Sequence, residues 1–471
     1  MVMAIFNTRD ILTQAGGILV GGSVDTTFSG VSIDSRKIRQ GDLFWAIKGE
    51  RFDGNDFIDE AKSKGAAGIV TESDGHVNEQ CTIIKVESSL RSLQLLAAFN
   101  RRRHNIPLVA ITGSNGKTST KEILSSVLKK RFKVLKNEGN LNNLIGVPLT
   151  LLKIDSGHEA AVVEMGMNRK GEISVLAEMA GPDIGLITNI GEAHLEGLGS
   201  MENIKKAKGE LIDALKAEHD VVLNADDDAV MDLAKLARGN IVTFAVNNNS
   251  DVRASEVDVE WGKGTLFILT VKGESIPVLL PTYGIHQLYN ALAASAAAHV
   301  MGLGLEEIRD GLEEHEPYEG RMEILSEGGV VLINDTYNAN PPSLKYAVET
   351  LANLSTGRKI AVLGDMLEMG EEAERIHYDM GTFISVNDID MVLTAGPLAK
   401  KISHGAIDGG LAQDASLSFS DKSELSKYLR AEVKEGDWIL IKGSRGMKME
   451  EVTADILGHL KRRGWRADIE L

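Results

Sequence analysis

Cysteine is almost absent: Cys81 is the single one in 471 residues. One thiol excludes an internal disulfide framework and a multi-cysteine zinc site, and it fits a reducing compartment. Basic charge is also short. Lys and Arg number 51 against 68 Asp and Glu, a formal net charge of −17, which argues against a chain whose main work is gripping nucleic-acid phosphate non-specifically. Any anionic ligand therefore needs a local site. Long hydrophobic runs are missing too. The most apolar long window, Ala291 to Leu305, is interrupted by Ser295 and His299 and falls short of the roughly 20 apolar residues of a membrane span, so it reads as a packed helix. Met1 to Asp10 carry no secretory pattern, and the expected location is the cytoplasm.

Charged residues at 25% and hydrophobic residues at 43% are near the averages of folded soluble proteins. At roughly 100 to 200 residues per domain, the length predicts about three domains. Residues 1–87 read as a small α/β unit, with strand-like runs at Val31–Ile33, Leu43–Ile47, Gly68–Thr71 and Thr82–Val86. Residues 88–316 open with an amphipathic helix and then alternate strands (Leu108–Thr112, Ala160–Glu164, Ile184–Thr188, Asp220–Asn224, Ile241–Ala245) with helices, the pattern of a parallel sheet wrapped by helices. Alternating residues within 252–281 predict a β-hairpin insert. Residues 317–471 begin a third βα series at Val330–Asn334, Lys359–Leu363, Met391–Thr394 and Trp438–Ile441. That series is Rossmann-like, yet it lacks G-x-G-x-x-G after its first strand, so no dinucleotide is inferred. The fold class is α/β, with no short repeat or low-complexity tract.

The strongest local signal is the strand Leu108–Thr112 running into Gly113, Ser114, Asn115, Gly116, Lys117 and Thr118, with Ser119 opening a helix-compatible stretch to Lys130. Glycines let backbone N–H groups turn toward phosphate oxygens, and the helix N-terminus adds positive potential. Lys117 reaches the β and γ phosphates, and Thr118 can ligate Mg²⁺. A strict P-loop would have glycine where this chain has Ile111, so the loop is a shortened variant. It points to ATP. A guanine-reading Asn-Lys-x-Asp is ruled out because no Asn-Lys pair occurs, which leaves an ATP-consuming enzyme or an ATP-dependent switch. Glu164 closes the predicted strand Ala160–Glu164 and His194 follows Ile184–Thr188, both at a strand's carboxyl end, where open α/β sheets keep their ligands. Glu164 is thereby a candidate Mg²⁺ ligand.

TGSNGKTSTK (112–121), EMGMN (164–168), TNIGEAHLEGLGS (188–200), KAKGEL (206–211), NADD (224–227), HQLYNALAA (286–294) and GRM (320–322) resemble, in order and spacing, the Mur ligase family over nearly the whole chain. That resemblance implies a UDP-muramoyl-peptide-binding first domain, a central ATPase domain and a Rossmann-like third. It also implies amide-bond formation on a peptidoglycan precursor through an acyl phosphate, and a monomer that binds no nucleic acid. DSRKIRQGDLFWAIKGERFDGNDFI (34–58), GNLNNLIGVP (139–148), DTYNANPPS (335–343), GDMLEMG (364–370) and KGSRGMKMEEV (442–452) resemble the branch that adds D-alanyl-D-alanine to UDP-N-acetylmuramoyl-tripeptide. Another Mur ligase or a folylpolyglutamate-type ligase is the alternative.

By resemblance, Thr118 and Glu164 hold one Mg²⁺, and His194 helps hold a second. Lys208 aligns with a lysine carried as a carbamate that could brace that second metal; read alone, Lys206 and Lys208 are two exposed lysines on a helix. Asn290 matches an adenine contact, Arg321 a phosphate contact and Asp335 a ribose contact. Ser35 and Arg36 resemble part of the uridine diphosphate pocket, together with the loop Lys48 to Asn55. Asn142 and Asn143 are assigned to the muramoyl-peptide, and Asn338, Asn340, Ser444 and Arg445 to the peptide or the incoming dipeptide.

Overall fold

The computed structural model describes residues 6–49, 52–74, 81–192 and 195–463. Three main sheets follow one another along the chain, and a two-stranded ribbon pairs Phe6–Asn7 with Thr27–Phe28. The first sheet runs, in spatial order, Ile18–Gly21, Thr82–Lys85, Gly68–Thr71, Leu43–Trp45 and Val31–Ser32. Its pairs are parallel except at the Ile18–Gly21 edge. Phe44, Trp45, Ile69 and Val70 are fully buried, as apolar runs covered on both faces should be. The Trp45 indole N–H donates to the Ser89 carbonyl at 2.7 Å, tying this sheet to the helix Ser89–Arg103 that leads into the second.

The second sheet has nine strands. Seven run parallel in the order Val134–Lys136, Ala160–Glu164, Leu108–Thr112, Ile184–Ile187, Asp220–Asn224, Ile241–Ala245 and Val252–Glu260. From Leu108–Thr112 the chain builds both strands on one side before crossing to Ile184–Ile187 on the other. A crevice therefore opens beyond the carboxyl end of Leu108–Thr112, the ligand position of open α/β sheets. The alanine-rich window is not one helix: Ala291 to Val300 lie in the helix Ile285–Val300, where Ala291, Ala294 and Ala298 are fully buried, and the glycines Gly302 and Gly304 turn the chain into the next helix at Leu305. The helix Ile285–Val300 packs on the helix Lys117–Leu128. The neighbouring helix Leu305–Glu313 approaches that same helix so closely that a Cβ at Gly311 would lie 2.4 Å from Val127 Cα. Among the described residues no helix is long and apolar enough to cross a membrane.

The third sheet runs Glu323–Glu327, Val330–Asp335, Trp438–Lys442, Lys359–Gly364, Met391–Ala395 and Ser416–Phe419, parallel but for the first pair. Two differences from the sequence expectation have a simple physical origin. The 252–281 insert is three antiparallel-connected strands rather than one hairpin, because Glu274–Leu280 adds to Gly264–Val271 through the tight turn at Lys272 and Gly273, both at positive φ. The edge strands Val134–Lys136, Glu323–Glu327 and Ser416–Phe419 are short and partly exposed, so they carry no apolar run for a pattern to detect.

Candidate active site

The phosphate-type loop leaves its strand at Gly113 (φ +153°) and enters the helix at Gly116 (φ +79°). Neither position admits a side chain: a Cβ at Gly113 would sit 1.8 Å from Thr188 Oγ1, and one at Gly116 would sit 2.2 Å from Asn290 Oδ1. The helix begins at Lys117 rather than at Ser119. Hydrogen bonds join the loop to the 188–191 turn. Ser114 N–H donates to Asn189 O (3.0 Å), Asn115 N–H to Asn189 Oδ1 (2.9 Å), and Thr188 Oγ1 to Asn115 O (2.6 Å). Ser114 Oγ donates to Gly191 O at 2.9 Å, and Ser119 is buried. Lys117 folds back on its own loop, its ammonium donating to Gly113 O (2.7 Å) and Ser114 O (3.2 Å). Burial pulls this lysine below its ordinary value, with Glu164 opposing and Arg321 adding to the effect.

Glu164, buried at the end of its strand, is the hub. Its Oε2 accepts from Thr118 Oγ1 at 3.0 Å and its Oε1 from Asn142 Nδ2 at 2.7 Å. Lys121, fully buried one helical turn after Lys117, lies 3.7 Å from Oε2 and donates to Asn137 O at 2.8 Å. Asn137 in turn bonds the Glu164 backbone in both directions, at 2.9 and 3.1 Å. Lys208 contrasts with Lys121. It lies on the helix Met201–Asp213, is 1% exposed, and makes no hydrogen bond or ion pair among the described residues. Burial, then the charge of Lys117, push it well below the usual lysine range.

The third sheet closes the other side. Arg321 Nη2 donates to Thr118 Oγ1 at 3.2 Å, its guanidinium lies 3.9 Å from the Tyr337 ring centroid, and its buried Nε has no partner. Asn340 caps the helix Pro341–Leu354 and donates from Nδ2 to Asn115 Oδ1 at 2.6 Å. Asp335 is held by Lys442 (2.5 Å), whose ammonium also reaches Asn338 O (2.9 Å). Burial lowers Lys442 from its ordinary value while Asp335 opposes the shift. Ser444 is buried, donating to Ala339 O and accepting from Leu367 N–H, whereas Asn338 and Arg445 are exposed. Together these residues line a cleft of about 560 Å³ between the second and third sheets.

Gly116 to Ser119, Ser114, Asn115, Glu164, Asn142, Asn143, Asn290, Arg321, Asp335, Asn338, Asn340, Ser444 and Arg445 all line that cleft. Asn290 is buried, with its amide bonded to Gln287 and Thr120. Asn143 is exposed and spends its Oδ1 on the N–H groups of Ile145 and Gly146. Ser35 and Arg36 do not line it: Ser35 donates to Glu60 at 2.6 Å, and Arg36 pairs with Asp34 at the surface. His194 lies outside the described residues, as do Glu50 and Arg51 of the Lys48–Asn55 loop. Sequence reasoning missed Lys121, Lys442, Tyr337 and His286. All four lie inside the motifs given above, but only packing reveals that both lysines are buried. His286 stacks on Tyr346 across the cleft (centroids 5.6 Å apart), and burial lowers it to about 4.

Among the described residues no group of three His, Cys, Asp or Glu could hold a metal unaided. The Thr118–Glu164 oxygen pair still suits Mg²⁺, which takes one or two protein oxygens and completes its shell from phosphates and water.

Comparison with known proteins bears on the whole chain. Profiles of one family match residues 27–124 (Mur ligase family, catalytic domain), 111–298 (Mur ligase middle domain) and 320–445 (Mur ligase, glutamate ligase domain). A relative from Bacillus subtilis (strain 168), named UDP-N-acetylmuramoyl-tripeptide--D-alanyl-D-alanine ligase, is 38% identical over 95% of this chain and 98% of its own length. A crystal structure of MurF from Acinetobacter baumannii superposes with a TM-score of 0.88 at 30% identity, covering 96% of this chain and 99% of that one. MurF ligase from Thermotoga maritima, in complex with ADP, gives 0.82 at 32% identity, covering 92% of this chain and 98% of that one. The cleft, the glycine loop and the three-sheet order thus have one common explanation: the chain belongs to the Mur ligase family.

Proposed function

We propose that this chain joins D-alanyl-D-alanine to UDP-N-acetylmuramoyl-tripeptide, consuming ATP and giving the pentapeptide, ADP and phosphate. The observation that carries this reading is the full-length likeness to relatives of that name. The geometry supplies the chemistry. A carboxylate and an amine do not condense in water, so a carboxylate oxygen of the tripeptide first attacks the γ phosphorus and ADP leaves. The amine nitrogen of the dipeptide then bonds the acyl carbon, and phosphate departs. Two anions must meet in the first step, and fixed cations aimed at the developing charge lower that barrier. Lys117 from the loop and Arg321 from the turn before the third sheet are assigned this work, which is supported by their place in one cleft, by the Arg321 bond to Thr118 and by the charge of Arg321 acting on Lys117. Closure of the third sheet over the loop, already bridged by Asn340 and Asn115, keeps water from the acyl phosphate.

Thr118 and Glu164 are assigned to one Mg²⁺, which when bound offsets phosphate charge; His194 and Lys208 are assigned to a second. Lys208 is assigned a carbamate, a reading supported by its burial and by the charge of Lys117, both of which disfavour its cation, whereas carbamylation would make it an anion. Asn290 is assigned to the adenine and Asp335, held by Lys442, to the ribose. Gly113 to Ser119 are assigned to the phosphates. Asn142 and Asn143 are assigned to the muramoyl-peptide, Asn338, Asn340, Ser444 and Arg445 to the peptide or the incoming dipeptide, and Ser35 and Arg36 to the uridine diphosphate. Lys37, next to Arg36, acts electrostatically on Glu138 of the loop that carries Asn142, which supports a first domain facing the cleft. Boundaries near 87/88 and 316/317, a monomer and a cytoplasmic setting complete the reading.

The test is phosphate release with mass-spectrometric product analysis, using ATP, Mg²⁺, D-alanyl-D-alanine and UDP-N-acetylmuramoyl-tripeptides carrying lysine or diaminopimelate. Release that requires both substrates, with a pentapeptide product, is expected. ATP binding without ligation would overturn the reading in favour of a switch or another acceptor.

A further inference from the structure

Arg321 is unusually well held for a side chain that must meet a transient anion. It sits in a turn whose backbone is strained, with Gly320 at φ +70° and Met322 at φ +52°. Tyr337 closes that turn from just beyond the end of the strand Val330–Asp335: its N–H donates to Gly320 O at 3.1 Å, while Arg321 N–H donates to Tyr318 O at 3.0 Å. The Tyr337 ring then lies under the guanidinium, 3.9 Å from centroid to Cζ, and Tyr318 meets the same ring edge-on at 6.2 Å. Arg445, from the loop after the adjacent strand Trp438–Lys442, comes within 5.6 Å of that centroid. No hydrogen bond to the Tyr337 hydroxyl is present among the described residues, so the ring face is the part in use. The stacked guanidinium sends Nη2 to Thr118 Oγ1 at 3.2 Å and leaves Nε buried and unpartnered. A buried donor without a partner costs stability, and an anion arriving between Thr118 and Arg321 would satisfy it.

We infer that Tyr337 is a positioning residue for the phosphoryl step: its ring fixes the Arg321 guanidinium, with Arg445 beside it, in the orientation that receives the transferring anionic group. A ring face attracts a guanidinium electrostatically and restrains its plane without consuming its N–H groups. A carboxylate in the same place would hold Arg321 more tightly but would neutralise the charge the reaction needs. The inference rests on the ligase reading above, and its experiment separates the two.

Steady-state rates are measured for wild type, Tyr337→Phe, Tyr337→Leu, Arg321→Ala and Arg321→Ala with Tyr337→Leu, each checked for a cooperative melt. Tyr337→Phe should stay within about threefold of wild type, since the ring face survives. Tyr337→Leu should lower kcat by about 30-fold, the rate equivalent of a desolvated ring–cation contact, with KM for the UDP-substrate unchanged. In the Arg321→Ala background the leucine substitution should cost nothing further. If Tyr337→Leu does not fold, phenylalanine analogues of increasing ring fluorination at 337 replace it, and kcat should fall stepwise as the ring face loses negative potential. Loss of rate in Tyr337→Phe, wild-type rate in Tyr337→Leu, multiplying losses in the double variant, or indifference to fluorination would each overturn the inference. Should wild type itself make no pentapeptide, the ligase reading falls, and the same cycle is read on Mg-ATP affinity, where the coupling is still expected and additive losses would overturn it.

Discussion

Lys121 and Lys208 are both buried in the second domain, yet their pockets are opposites. Lys121 finds the Asn137 carbonyl, the Glu164 carboxylate at 3.7 Å and Glu122 at 3.2 Å. Among the described residues Lys208 finds no anion, and it feels the charge of Lys117. A buried cation is tolerable only when the protein supplies its counter-charges and acceptors. Lys121 is accordingly a structural cation that holds Glu164 and the 137–143 loop in register with the phosphate loop. Lys208, by contrast, has no counter-charge among the described residues, and burial together with the charge of Lys117 disfavours its cation.

The sharpest way to break this contrast is to delete Lys208. Turnover of Lys208→Ala should fall by on the order of 10³, the scale of losing one preorganised electrostatic group in an active site, and millimolar acetate or formate should restore part of it. An unaffected variant in a steady-state assay would remove Lys208 from the chemistry. Stability separates the two lysines next. Lys121→Met strands the buried Asn137 carbonyl and the carboxylates of Glu164 and Glu122, and should cost about 3 kcal/mol in chemical denaturation. Lys208→Met replaces an unpaired amine with an apolar side chain and should be neutral or stabilising; equal losses would show that the pockets do not differ. The smallest effect belongs to His286, lowered to about 4 by burial. At pH above 6.5 both folded and unfolded states are neutral and no penalty exists. As pH falls from 6.5 toward 4 the unfolded chain takes the proton first, so stability declines across that window by at most about 3 kcal/mol. His286→Gln should flatten the decline in pH-dependent melts, and an unchanged slope would assign it to other groups.

Much of the fold was legible because buried parallel strands are continuous apolar runs. Leu108–Thr112, Ala160–Glu164, Asp220–Asn224 and Ile241–Ala245 have the bounds their sequence suggests. The glycine loop was legible for a different reason, since Gly113 and Gly116 each occupy a place where a Cβ would collide. What stayed hidden depends on packing. KAKGEL reads as two exposed lysines, yet Lys206 is exposed and Lys208 buried, because residues two apart face opposite sides of a helix and only the neighbouring elements decide which side is covered. Lys121 reads as a polar helix residue for the same reason. Tyr337 was passed over between the polar residues of DTYNANP, and its importance appears only with Arg321 on its face. Arg36, assigned by resemblance to part of the uridine diphosphate pocket, lies at the surface paired with Asp34.

The most direct test of the ligase chemistry follows one oxygen atom. UDP-N-acetylmuramoyl-tripeptide is labelled with ¹⁸O in its terminal carboxylate and incubated with the enzyme, ATP, Mg²⁺ and D-alanyl-D-alanine. If the carboxylate attacks the γ phosphorus and the amine later displaces phosphate, one labelled oxygen per pentapeptide leaves in inorganic phosphate. Phosphate free of label, with pentapeptide still formed, would contradict the acyl-phosphate route, and phosphate released without pentapeptide would contradict the ligase itself.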